Sequence, residues 1–200
     1  MLTGNLCEKC GLPVAHAGLC QHCQSNPPPY RALRAWAAFD FPIRQALHKL
    51  KYRRDMGLGD ALAVPLTRFA ESLNWPLDVV VPIPLGRKRR RERGYNQVDL
   101  IARPLSLALG LDYKPAALKR HRETNSQVGL SAMERRANMQ NAFVATASLV
   151  RGKTVLVMDD VSTTGSTLSS SAEALYQSGA KDVFALTVAR ALPHHGLKQV

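Results

Sequence analysis

The densest chemistry in the chain lies in Val155-Leu-Val-Met-Asp159-Asp160-Val-Ser-Thr163-Thr164-Gly165-Ser166-Thr167. A continuous apolar run delivers two carboxylates, a loop of hydroxyls with one glycine follows, and a helical pattern then begins. A helix N-terminus offers N–H groups without helical partners and the positive end of a dipole. Gly165 lets the backbone wrap closely round an anion, and Thr163, Thr164, Ser166 and Thr167 add hydroxyl donors, which together make a phosphate cradle. The G-x4-G-K-[ST] pattern is missing, so this is not a Walker loop. Asp159 and Asp160 can accept hydrogen bonds from a sugar diol or hold a hydrated Mg²⁺. Two carboxylates beside a cradle for one phosphate point to a ribose 5-phosphate type of ligand.

A second constellation opens the chain. All four cysteines, Cys7, Cys10, Cys20 and Cys23, fall in the first 23 residues as C-x2-C, nine residues, C-x2-C. Two residues between cysteines let both sulfurs of a tight turn face one ion, and two such turns supply the four thiolates of a structural zinc site. Gly11 gives the first turn a residue free to take positive φ. A redox pair would need one C-x-x-C beside a strand–helix unit. His16 and His22 read as surface residues. A segment this short needs the metal to fold. We expect a zinc head over 1–26, a stiff proline linker over 27–29, and a body over 30–200.

Charge adds a third feature. The 200-residue chain has 27 Lys and Arg against 15 Asp and Glu, a net +12. Residues 30–58 carry a net +5, residues 86–93 (Gly-Arg-Lys-Arg-Arg-Arg-Glu-Arg) +5, and residues 119–136 +3, while residues 1–29 are neutral. Such concentration predicts a polyanionic partner, either nucleic acid or phosphorylated small molecules; the alternative is a solvated basic face. Arg89, Arg90 and Arg91, the densest run, are the candidate contacts to the phosphates of such a partner. An apolar fraction of 46% with 21% charged residues excludes a disordered or collagenous chain. No apolar run is long enough for a membrane helix. The opening Met1-Leu-Thr-Gly-Asn-Leu-Cys7 lacks the basic and apolar regions of a secretion signal, which predicts a cytoplasmic protein with reduced thiols.

The elements that must position these residues alternate. Ile43, Leu47 and Leu50 recur at helical spacing, and Leu58, Leu62, Leu66, Phe69 and Leu73 continue it past Pro65. Asp78–Ile83 reads as a buried strand, followed by a basic loop over 86–93. Leu100, Leu105 and Leu109 mark a helix ending at Gly110, then come a strand near 113–118 and a long polar loop over 119–130. Ser131 with Glu134 makes a capping box. Thr154–Met158 is the clearest strand, Leu168, Ala172 and Leu175 mark a helix stopping at Gly179, and 182–188 is a last strand. This alternation predicts a parallel sheet flanked by helices, with ligands beyond the carboxyl ends of its strands.

The 155–167 stretch resembles the signature of type I phosphoribosyltransferases, which bind phosphoribosyl pyrophosphate (PRPP). Ser162 departs from it, an apolar residue being commoner there. The resemblance implies that Asp159 and Asp160, as the catalytic pair, hold the ribose hydroxyls and that Thr163, Thr164, Gly165, Ser166 and Thr167 bind the 5′-phosphate. It places pyrophosphate on the loop after the first sheet strand, where Arg87 and Arg93 are the candidates with Asn96 and Gln97 as hydrogen-bonding partners. It puts a mobile flap over 119–129, with Arg122, Thr124 and Gln127 closing on substrate. An acceptor hood would come from residues 30–76, although Trp36, Phe39 and Phe41 read as core. Adding the cysteine head, Val81-Pro-Ile-Pro84, Arg93-Gly-Tyr-Asn-Gln97, Gln127-x-x-Leu130-Ser131, Glu134-Arg135 and Asn138, the whole chain resembles the ComF/GntX group of competence-associated, phosphoribosyltransferase-like proteins.

Two functions follow as expectations. By the resemblance the protein is an accessory of DNA uptake or utilisation that keeps a PRPP-type site, with single-stranded DNA and a competence helicase as partners. The alternative is an active Mg²⁺-dependent phosphoribosyltransferase, in which an unidentified acceptor attacks C1′ of PRPP while pyrophosphate leaves.

Overall fold

The computed structural model describes residues 2, 4–121 and 142–192. The elements are α1 (Gln21–Ser25), β1 (Leu33–Ala38), α2 (Ile43–Tyr52), α3 (Gly57–Ser72), β2 (Val79–Pro82), α4 (Arg87–Arg93), α5 (Gln97–Ala108), β3 (Asp112–Tyr113), a 3₁₀ turn (Pro115–Ala117), β4 (Leu118–Arg120), β5 (Phe143–Ala145), α6 (Ala147–Val150), β6 (Thr154–Ser162), α7 (Ser166–Gln177) and β7 (Asp182–Arg190). Five strands form one sheet in the order β1-β7-β6-β2-β3, every neighbouring pair parallel. β4 and β5 make a separate antiparallel pair.

Alternation along the strands builds two cores. Val155, Val157, Val183 and Ala185 pack on one face with Leu168, Ala172 and Leu175 of α7. Leu156, Met158, Phe184 and Leu186 pack on the other with Leu47 and Leu50 of α2, Leu66 of α3, and Ile101 and Leu105 of α5. A sheet covered on both faces explains why its strands read as unbroken apolar runs.

Chain order and sheet order together locate the crevice. From β2 the sheet grows outward to β3, and from β6 it grows the other way to β7. The reversal lies between β2 and β6, where parallel sheets open a cleft beyond their strand ends. β2 pairs with β6 only as far as Pro82 opposite Met158. Asp159 and Asp160 follow at once, on a strand still paired to β7 on its other side.

Four expectations need correction. Residues 33–38 are not part of a hood but the edge strand β1, whose Leu33 lies opposite Ala185 in the ladder with β7. The basic segment is a helix rather than a loop, because Arg, Lys and Glu favour helix and the segment is bounded by Gly86 and Gly94. The strand expected near 113–118 is broken by Pro115, which starts the 3₁₀ turn. Phe41 is 71% exposed rather than core. The capping box at Ser131 and Glu134, and Asn138, lie outside the described residues.

Candidate functional site

Because side chains alternate along a strand, Asp159 shares the face of Val155 and Val157, while Asp160 faces the α2–α3–α5 layer. Asp160 is 5% exposed. Its Oδ2 lies 2.6 Å from Lys51 Nζ and accepts a hydrogen bond from Gln97 Nε2 at 3.1 Å. Gln97 in turn accepts from the Arg93 guanidinium through Oε1. Arg93, Gln97, Asp160 and Lys51 therefore form one polar chain across the cleft. Asp159 Oδ1 accepts from the Asp160 N–H at 2.8 Å. Burial, and then the neighbouring Asp160 charge, push the Asp159 carboxyl up to about 7.

β6 ends at Ser162, and the chain turns through Thr163 and Thr164, both exposed, to Gly165. Gly165 takes φ 81° and stands at the N-cap of α7. A β-carbon there would come within 3.2 Å of the Tyr30 hydroxyl, so left-handed backbone and close packing both call for glycine. Thr164 Oγ1 and Ser166 Oγ are 2.7 Å apart, and the Ser166 N–H points at Thr164 Oγ1 (3.4 Å). Beneath the turn, Arg190 is 3% exposed and donates to Ser162 Oγ at 3.2 Å; its Nε has no hydrogen-bond partner among the described residues. A hydroxyl-lined turn thus meets a helix N-terminus, a combination suited to an anion, and the Arg190 charge below also acts on Tyr30 and Cys10.

The expected pyrophosphate residues divide. Arg93 and Gln97 reach the cleft. Asn96 does not: it is 3% exposed and caps α5, its Oδ1 accepting from the Val98 N–H (3.2 Å) while its amide donates to Ile83 O and Asp99 Oδ1, both at 3.0 Å. Arg87, Arg89, Arg90 and Arg91 are exposed along α4. Arg122, Thr124 and Gln127 lie outside the described residues.

In the head, the sulfur atoms of Cys7, Cys10, Cys20 and Cys23 lie within 4.8 Å of one another. Four thiolates placed tetrahedrally round zinc at about 2.3 Å stand roughly 3.8 Å apart. Cys10 and Cys20 are at 3.7 Å, so the cluster is compatible with a zinc site. Burial opposes ionisation of Cys7, but N–H groups of Cys20, Cys10 and Lys9 aimed at its sulfur outweigh it and bring the thiol to about 6. Gly11, at φ 66°, closes the first turn so tightly on β1 that a β-carbon would sit 2.5 Å from Leu33 O. The Leu33 N–H donates to Lys9 O (2.7 Å), and Lys9 Nζ donates to Tyr30 O (2.8 Å).

Sequence reasoning missed Lys51, Tyr30 and Arg190. Each lies well away along the chain from the 155–167 stretch, and no local pattern set it apart.

Residues 93–198 match the phosphoribosyl transferase domain family. The chain is 37% identical over 194 residues to the DNA utilization protein YhgH of Escherichia coli O157:H7, covering 94% of this chain and 85% of that protein. It is 30% identical over 194 residues to competence protein F of Haemophilus influenzae, covering 92% and 84%. A solved structure of glutamine PRPP amidotransferase from B. subtilis, complexed with ADP and GMP, is similar with a TM-score of 0.47 at 20% identity, over 66% of this chain and 26% of that one. Among the described residues, no helix is long and apolar enough to cross a membrane.

Proposed function

The chain belongs to the phosphoribosyl transferase domain family and, within it, to the DNA utilization and competence F proteins; from that premise we propose that it serves DNA uptake or utilisation and binds a PRPP-class ligand. The observation that carries the ligand is the convergence at the β2–β6 reversal of an acidic pair, Asp160 buried and Asp159 partly so, with the N-terminus of α7. Asp159 and Asp160 take the ribose diol, and Thr163 to Thr167 with Gly165 take the 5′-phosphate. Arg93 and Arg87, at the two ends of α4, take the pyrophosphate. Mg²⁺ brought with PRPP would neutralise pyrophosphate charge. The four cysteines would hold zinc, which cross-links a head that has little apolar core of its own.

The test is a thermal-shift titration of the full chain with PRPP and Mg²⁺. A ligand at 100 times its Kd adds about 2.7 kcal/mol. In a chain of this size that raises Tm by about 5–10 °C. Asp160→Asn should abolish the shift, and no shift in the native chain at millimolar PRPP would overturn the ligand assignment. Release of pyrophosphate with any nucleobase or amine acceptor would establish the transferase alternative instead.

The DNA role falls to α4, where Arg87 to Glu92 form an exposed surface with five cations and one anion. Fluorescence polarisation with a labelled oligothymidylate should show salt-dependent binding. Replacing Arg89, Arg90 and Arg91 by Glu should lower the slope of log K against log salt by about 2, at about 0.7 per phosphate contact for single strands. An unchanged slope would remove α4 from the interface. A helicase of the uptake machinery is the protein partner this role implies, and co-purification with the full chain tests it.

A further inference from the structure

Helix α2 approaches the cleft from the sheet face opposite α7. Leu47 and Leu50, both fully buried, seat it on the sheet. The Tyr95 hydroxyl donates to Leu50 O, and the Arg93 guanidinium lies 5.4 Å from the Tyr52 ring centroid. Lys51, between those two anchored residues, is therefore carried on a fixed backbone. Its side chain is 22% exposed, and its ammonium lies 2.6 Å from the buried Asp160.

A buried carboxylate needs a partner, and removing a lone partner is far more costly than any gain from the pair itself. Gln97 supplies a hydrogen bond to the same Oδ2 but no charge. A hydrated divalent cation seeking Asp160 would meet both a filled coordination site and a like charge at ion-pair distance. A neutral vicinal diol meets no charge repulsion: its hydroxyls can donate to the carboxylates, and the Lys51 ammonium can donate to a hydroxyl oxygen.

We propose that Lys51 is the resident counter-ion of the Asp159–Asp160 pair, that it keeps free divalent cations off the pair, and that it serves as a binding residue for the vicinal diol of a sugar phosphate. The diol clause rests on the ligand reading above; the cation-exclusion clause stands on the ion pair alone. Divalent metal then reaches the cleft only as a companion of the ligand's own phosphates.

The experiment uses Mn²⁺ as the probe, with the full zinc-loaded chain and free Mn²⁺ counted by electron paramagnetic resonance. The native chain should bind Mn²⁺ with a Kd of millimolar or weaker. Lys51→Met and Lys51→Gln should each tighten binding at least tenfold, Lys51→Arg should behave as the native chain, and adding Asp160→Asn to Lys51→Gln should erase the gain. Two neutral variants of different polarity guard against a misfolded result, and far-ultraviolet circular dichroism verifies each. Equal Mn²⁺ binding by the native chain and both neutral variants would overturn exclusion. For the diol, ribose 5-phosphate without divalent metal should raise the Tm of the native chain, and 2-deoxyribose 5-phosphate should raise it less. If ribose 5-phosphate shifts Lys51→Met as much as the native chain, Lys51 is not a binding residue. If neither sugar phosphate nor PRPP shifts the native chain, the ligand reading falls while the Mn²⁺ result still decides exclusion.

Discussion

Replacing Asp159 by Asn should stabilise the protein near neutral pH. The Asp159 carboxyl is held up to about 7, first by burial and then by the charge of Asp160, with the Asp160 N–H and then Lys51 only partly offsetting them. In the unfolded chain it titrates near 3.8. Its folded pKa is therefore raised, so the folded state holds the proton more tightly. Ionisation then favours unfolding progressively as pH climbs from about 4 to about 7, and the full cost persists above that. Each tenfold difference in proton affinity between folded and unfolded chain is worth about 1.4 kcal/mol, which sets a ceiling of about 4 kcal/mol; partial solvent access and coupling to Asp160 reduce this to about 2. Asn is isosteric, and its Oδ1 still accepts from the Asp160 N–H. Urea unfolding at pH 8 should thus show Asp159→Asn about 2 kcal/mol more stable than the native chain, with Tm higher by about 4–8 °C. The gap should narrow steadily as pH is lowered from 7 toward 4. The same variant should lose ligand-induced stabilisation, since a neutral amide accepts a diol less well than a carboxylate. A variant no more stable than the native chain at pH 8, or a gap that stays constant with pH, would refute the reasoning.

Other sites give sharper structural tests. Asn96→Ala removes a cap and leaves Ile83 O without its buried donor, so stability should drop by about 2–3 kcal/mol in urea unfolding. Asn96→Asp keeps the cap but sets a buried carboxylate oxygen against Ile83 O and Asp99 Oδ1, so it should destabilise at least as much. Gly59→Ala would drive a β-carbon to 2.7 Å from both Cβ and the carbonyl oxygen of Leu100, forcing α3 off α5. Overpacking of about 1–3 kcal/mol, less about 1 kcal/mol for the better helix propensity of Ala, should leave it less stable by up to about 2 kcal/mol. Titrating the thiols with a mercurial should release one zinc ion per chain. Because Lys9 O and Leu33 N–H join head to sheet, the amides over 33–38 should then exchange hydrogen at least tenfold faster. Unchanged exchange there would show that the head and the sheet are held together without the metal.

The cleft's floor was legible in the sequence and its walls were hidden. Thr154 to Met158 is an apolar run because both sheet faces are covered, and the hydroxyl-rich turn with Gly165 follows it locally, so spacing alone placed the carboxylates and the loop together. The strand continues to Ser162, past the acidic pair, because β7 goes on pairing there; that could not be read from polar residues. β1 was missed because Leu33-Arg-Ala-Trp-Ala-Ala38 has no β-branched residue. Its strand state comes from the ladder with β7, a tertiary effect that overrides the helical preference of Ala and Arg. Lys51 looked like any lysine on the polar side of an amphipathic helix. Its position opposite Asp160 depends on how α2 seats against the second core. Asn96 was misjudged for a related reason: a buried cap and an exposed ligand contact call for the same residue type.

The place of β1 at the sheet edge also carries a timetable. Its partner in the ladder, β7, is made about 150 residues later, which at roughly 5–20 residues per second is a delay of about 8–30 s. For that interval the nascent chain carries an unpaired strand edge beside a head whose four cysteines are already complete. A head folded first would hold this segment at Leu33, through Lys9 O and the close approach of Gly11, before β7 is made. The small head is thus the clasp at the Leu33 end of the finished edge strand.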